Sequence, residues 1–91
     1  MEKKYNLHPI VFYVGLTIWD LRTSQSLIQE ELAEEVGVTQ EYLSMIESGK
    51  RDLNVNTLKQ ISLSLGVENL ADLIEKAERL IVEEELKGQS G

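Results

Sequence analysis

Gln40, Glu41, Ser44 and Met45 fall within one short stretch, and the pair Lys50-Arg51 follows closely. These are side chains for recognition. An amide offers a donor and an acceptor side by side, a carboxylate accepts, a hydroxyl does both, a thioether makes soft apolar contact, and two cations attract anions. Bond-making chemistry lacks its parts. The chain contains no cysteine, which removes disulfides, thiolate metal sites and cysteine nucleophiles, and its one histidine, His8, cannot build a multi-histidine metal site. Beside Pro9, His8 is also badly placed for a serine triad. The carboxylates are many, but they fall on exposed helix faces without a nucleophile–base set. No enzyme activity, metal or cofactor is expected.

The elements that must position the recognition residues are helices. With 91 residues, 42% hydrophobic and 27% charged, the chain is sized for one globular domain. Strand-type alternation is absent, and nothing beyond Pro9 forbids helix. Caps and stops divide the chain into five predicted helices. The first covers 9–22, with Pro9 in its first turn. The second covers 29–36 and stops at Gly37. The third has Thr39 as N-cap, covers 40–48 and stops at Gly49. Asn54 caps a fourth over 55–65, closed by Gly66. Asn69 caps a fifth over 70–86, closed by Gly88. The expected organisation is an N-terminal tail over 1–8, a single domain over 9–87 whose C-terminal helix with its cap occupies 69–87, and a flexible tail over 88–91. On the fifth helix Leu70, Leu73, Ile74, Ala77, Leu80 and Ile81 share one face. Glu83-Glu84-Glu85 lies where the helix dipole disfavours negative charge, which predicts fraying.

The second and third helices are short and joined by Gly37-Val38-Thr39, the form of a helix-turn-helix. In a window starting at Gln29, the position where the helices touch must be small and holds Ala33. The turn position that must tolerate a left-handed backbone holds Gly37. The five positions that form the core between the helices hold Leu32, Val36, Val38, Leu43 and Ile46, all apolar. From composition, a window matches this pattern by chance roughly 3 times in 100,000, so an accidental match in one short chain is rare. In a unit over 29–48 the N-terminus of the third helix, the recognition helix 40–48, enters the major groove. Its solvent-facing residues are Gln40, Glu41, Ser44 and Met45. Glutamine can read adenine through N6 and N7, glutamate can accept from cytosine N4, and methionine can touch a thymine methyl group. The bland alternative is that all four are merely solvated.

Leu21-Arg22, Gln29-Glu30-Glu31-Leu32-Ala33, Val36-Gly37-Val38-Thr39-Gln40 and Ile46-Glu47-Ser48-Gly49-Lys50-Arg51, continued by Thr57-Leu58 and Leu65-Gly66-Val67, resemble the phage-repressor helix-turn-helix family, the Cro-like or xenobiotic-response-element type. Within it, residues 42–47 with 51–55 look most like controller proteins of restriction–modification systems. The resemblance implies an all-α, compact five-helix bundle of the lambda-repressor-like DNA-binding type, here with an extended C-terminal helix. It implies base contacts at Gln40, Glu41 and Met45 and a phosphate contact at Gln29. It also implies a structural ion pair between Arg22 and Glu47. One departure stands out: the family has Ser or Thr as N-cap before this glutamine, whereas Ile28 cannot cap. Further phosphate contacts are expected at Thr39, Tyr42, Lys50, Arg51 and Asn54, with capping by Thr39 and Asn54 and surface packing of Tyr42 as the structural alternatives.

The net charge of −7 weighs against broad electrostatic binding to nucleic acid or anionic membranes. Glu30, Glu31, Glu34 and Glu35 crowd the second helix, and the third carries no Lys or Arg. A single copy should therefore hold DNA weakly with a shallow salt dependence, and two copies on a symmetric site should add their contacts. The first helix has an apolar surplus: Val11, Val14, Ile18 and Leu21 form one stripe, while Phe12, Leu16 and Trp19 form a second. That second stripe and Leu73, Ala77, Leu80 and Ile81 of the fifth helix are the expected homodimer interface. The alternative is that the fifth helix covers Trp19 within one chain.

Together these features point to a cytoplasmic, homodimeric, sequence-specific transcriptional regulator, of repressor type, acting on a palindromic operator in double-stranded DNA. The apolar run over 10–15 is too short to span a membrane, and no cleavage site of a signal peptide follows it. The competing expectation is a protein-interaction module or antitoxin built on the same scaffold, with a protein partner in place of DNA.

Overall fold

The computed structural model describes residues 9–90, with side chains through Gly88. The tail expected over 1–8, and His8 within it, lie outside the described residues. The fold is all-α: α1 (Pro9–Ser24), α2 (Gln29–Val36), α3 (Gln40–Glu47), α4 (Val55–Ser64) and α5 (Leu70–Ser90), with no strand among the described residues.

The caps are local chemistry. Thr39 Oγ1 accepts from the Tyr42 N–H at 3.0 Å, Asn54 Oδ1 from Thr57 at 3.0 Å, and Asn69 Oδ1 from Asp72 at 3.0 Å. Ile28 makes no side-chain cap, but the Glu31 carboxylate accepts from the Ile28 N–H at 3.1 Å, leaving half of a capping box in place. α1 ends two residues beyond its expected end. Ser26 adopts φ 60, and the Leu27 N–H bonds back to the Arg22 carbonyl at 3.1 Å. This is a Schellman closure made without glycine, so no stop residue marks it in the sequence.

α1 packs on α3 along one side and on α5 along another. Ile18, Leu32, Leu43, Ile46, Ile61 and Leu73 are fully buried in one cluster drawn from all five helices. The α1–α3 crossing sits at Gly15. A Cβ there would overlap the Ile46 carbonyl oxygen and stand 3.0 Å from the carbonyl oxygen of Glu47.

Four expectations need correction. Leu73 and Ala77 are both 0% exposed within the single chain, so they belong to its own core and have no surface to offer a second copy. Leu21 is only half-buried and the next residue, Arg22, takes the buried position. The helix expected to close at Gly88 runs on to Ser90, so helix replaces the first part of the expected tail over 88–91. A glycine stops a helix when the chain turns left-handed there, and Gly88, unlike Gly37, does not. Glu83-Glu84-Glu85, expected to fray, is helical, with Lys87 placed 3.9 Å from Glu84 one turn away.

Candidate nucleic-acid interface

α3 is sorted by its period of 3.6 residues. Leu43, Ile46 and Glu47 are buried, while Gln40, Glu41, Ser44 and Met45 face solvent. The four residues expected to recognise an edge therefore share one open face. Ala33 and Gly37 set the α2–α3 angle: Ala33 is buried between the helices, and Gly37 turns at φ 86 with its N–H on the Ala33 carbonyl at 2.8 Å.

Beneath that face lies a polar chain. Arg22 Nε and Nη2 donate to the two carboxylate oxygens of Glu47 at 2.7 and 2.9 Å, a bidentate pair with both side chains buried. Arg22 Nη1 also donates to the Leu27 carbonyl at 2.7 Å, which ties the α1–α2 turn to the same group. Gln29 Nε2 donates to Glu47 Oε1 at 3.0 Å, and Gln40 Nε2 reaches Gln29 Oε1 at 3.5 Å. Every charge in this low-dielectric spot has a partner, which is the condition for holding it there. The consequence is positional: α1, the start of α2 and the end of α3 are tied to one carboxylate.

Around the face, Thr39 and Asn54 serve as caps and are exposed. Tyr42 is half-buried, and the Arg51 guanidinium lies 5.0 Å from its ring centroid. Such a stack restrains an arginine by about 0.5–1 kcal/mol at an exposed site. Lys50 is exposed beside it. Sequence reading left out this stack, the Glu31 closure and the Gln29–Glu47 bond. Each depends on rotamers across a turn, and only the spacing of residue types is visible in the chain. The acids of α2 are partly used locally: besides Glu31 on Ile28, Glu35 accepts from the Ser64 hydroxyl of α4.

The second apolar stripe of α1 is divided. Phe12 lies against Gly49 at the end of α3, where an added Cβ would come within 2.9 Å of the Phe12 Cα. Leu16 and Trp19 instead line a groove of about 470 Å³ with Leu80 of α5. Phe12 and Trp19 are 47% and 46% exposed, so α5 covers Trp19 only in part. Among the described residues, no group of three metal-ligating side chains comes together, and no helix is long and apolar enough to cross a membrane.

Comparison with known proteins sets this geometry in context. A family model described as helix-turn-helix matches residues 20–72. An uncharacterised HTH-type transcriptional regulator of Sinorhizobium fredii is 39% identical over 57 residues, which span 63% of this chain and 74% of that protein. Among solved structures, the clp gene regulator ClgR from Corynebacterium glutamicum superposes with a TM-score of 0.82 at 22% identity, covering 88% of this chain and 84% of its own. The restriction-modification controller protein C.AhdI from Aeromonas hydrophila gives 0.67 at 24% identity, covering 72% and 98%. At those identities the two structures speak for the fold.

Proposed function

The chain belongs to the helix-turn-helix family of transcriptional regulators, and from that membership we propose that it binds a specific palindromic DNA operator as a homodimer. The observation that carries the reading is the sorting of α3, whose open face gathers Gln40, Glu41, Ser44 and Met45 while Leu43 and Ile46 hold it to the core. On this reading α3 lies in the major groove with its N-terminal turn against base edges. Gln40 makes a bidentate contact to adenine, Glu41 and Ser44 accept or donate at neighbouring bases, and Met45 packs on a thymine methyl group.

Phosphates bracket the helix. Lys50, Arg51 on its Tyr42 stack, and the Tyr42 hydroxyl hold one side. Thr39 and Asn54 accept from their helix N–H groups and keep a hydroxyl or amide proton for a phosphate. Gln29 has one amide proton engaged by Glu47 and a second to donate. Among the described residues Lys50 and Arg51 are the cations that follow α3 directly, so one copy binds weakly. Two copies whose half-site centres lie about 34 Å apart combine their contacts on one face of the duplex.

The test is selection of bound sequences from randomised duplex DNA at low and at physiological salt. An inverted repeat should be enriched. Gln40→Ala and Met45→Ala should relax preference at single positions, whereas Lys50→Ala should weaken all sites alike and reduce the salt slope by about 1. A folded protein that enriches no motif sinks this reading. It would favour a protein-interaction module, for which the exposure of Phe12 and Trp19 is the supporting observation.

A further inference from the structure

The polar chain beneath α3 has a direction, and Glu47 sets it. Both Glu47 oxygens accept from Arg22, at 2.7 and 2.9 Å, and the side chain is buried. A guanidinium only donates and a carboxylate only accepts. The Gln29 amide lies 3.0 Å from Glu47 Oε1 and must therefore turn its nitrogen inward. That turns Gln29 Oε1 outward, where Gln40 Nε2 meets it at 3.5 Å. The opposite setting of the Gln40 amide would put two oxygens against each other with no proton between them. An isolated glutamine amide has two such settings, related by a half-turn. Here each amide is settled by its inner neighbour, and the chain starts from a carboxylate that has no second setting.

We propose that Glu47, which is buried and reaches no base, determines that α3 selects adenine over guanine where Gln40 meets the DNA. The proposal rests on the major-groove reading above. With one Nε2 proton held toward Gln29, Gln40 presents its Oε1 and its second Nε2 proton at the open face, an acceptor beside a donor. Adenine N6 donates and N7 accepts, so both contacts are made. Guanine O6 and N7 both accept, so Gln40 Oε1 would face O6 with no proton to share. Reversing the chain reverses the choice. With a donor in place of the Glu47 oxygen, Gln29 would turn its oxygen inward and its nitrogen outward. Gln40 would then turn its own oxygen to Gln29, and the amino group left at the surface would suit guanine. Gln29 is fully used in the native setting: one proton goes to Glu47, its oxygen to Gln40, and its second proton serves a phosphate. Glu47 is a positioning residue, acting on the base only through Gln29 and Gln40, and Arg22 holds it for that task.

The experiment repeats the sequence selection with two variants of the full chain, with circular dichroism as a check on folding. Wild type should prefer adenine to guanine at the Gln40 position by about tenfold or more. Gln29→Ala leaves the Arg22–Glu47 pair in place but cuts the chain, and should bring that ratio down to about threefold or less. Glu47→Gln can keep its oxygen on Arg22 and turn its amino group to Gln29, and should lower or invert the ratio. Preferences at the other positions should stay as in wild type, whereas a loosened fold would blur all positions alike. Gln29→Ala carries the test if Glu47→Gln does not fold. The free protein gives a second readout by NMR. The side-chain amide protons of Gln29 should exchange with water more slowly than those of the exposed Gln60, and Glu47→Gln should shift their resonances. A Gln29 amide that behaves like that of Gln60 overturns the proposal, as does a folded Gln29→Ala protein with the adenine preference of wild type. No motif in wild type sinks the DNA reading and the proposal together, whereas an intact motif indifferent to both variants overturns the proposal alone.

Discussion

Gly15→Ala should destabilise the fold, although alanine is the better helix former. Inside a helix the exchange by itself favours alanine by about 1 kcal/mol. At Gly15 that gain meets the α1–α3 crossing. The new methyl group would overlap the Ile46 carbonyl oxygen, with the Glu47 carbonyl oxygen and carbon at 3.0 and 3.1 Å. These are backbone atoms in the last turn of α3, so no rotamer change relieves them and the two helices must shift apart. Overpacking of a fitted core costs about 1–3 kcal/mol and occasionally more, and a backbone obstacle belongs at the upper end. Net of propensity, the loss should be about 2 kcal/mol, a melting temperature lower by roughly 8–16 °C in a domain of this size. Urea denaturation followed by circular dichroism measures it. Gly88→Ala is the control, because Gly88 is also helical and exposed but its added Cβ meets nothing within 4 Å. That variant should gain up to about 1 kcal/mol. A Gly15→Ala protein as stable as wild type would refute the argument that α1 and α3 touch at their backbones.

The buried pair offers a second test. Arg22→Met should cost about 3–5 kcal/mol by leaving the buried Glu47 charge without its cation and with the Gln29 amide as its remaining partner, whereas Arg22→Met/Glu47→Leu should recover most of that loss; a double variant as unstable as the single would show that the pair is not what the loss measures. Ser62 Oγ is fully buried without a hydrogen-bond partner, so Ser62→Ala should be neutral or stabilising by about 1 kcal/mol in thermal melts. Asn54→Ala removes the α4 cap and should cost about 1 kcal/mol of stability; if Asn54 also holds a phosphate, operator affinity should fall by more than the folding loss explains, and the two effects separate when binding is measured well below the melting temperature.

Much of the helix-turn-helix was legible in the chain because its constraints are local. Gly37 is required where φ must be positive, Ala33 where two helices touch, and Thr39 and Asn54 where a first turn needs an acceptor. Period alone placed Gln40, Glu41, Ser44 and Met45 on one side of α3 and Leu43 and Ile46 on the other. Family resemblance supplied the Arg22–Glu47 pair, since no spacing rule joins residues so far apart. The division of the Phe12, Leu16 and Trp19 stripe was beyond such reading. A helical wheel shows that three side chains share a face, but not which neighbouring helix each part of that face meets.

By itself the sequence determined five helices, the N-caps Thr39, Asn54 and Asn69, and the open face of α3, because each follows from hydrogen bonds and apolar spacing within a few residues. Tertiary structure alone decided that Leu73 and Ala77 sink into the chain's own core, that Glu47 holds Gln29 as well as Arg22, that α1 and α3 meet at Gly15, and that no described residue covers the outer turns of α5. These outcomes depend on how whole helices cross. Crossing is set by the shape of every side chain at the contact, a property of the packed assembly that is not written at any single position.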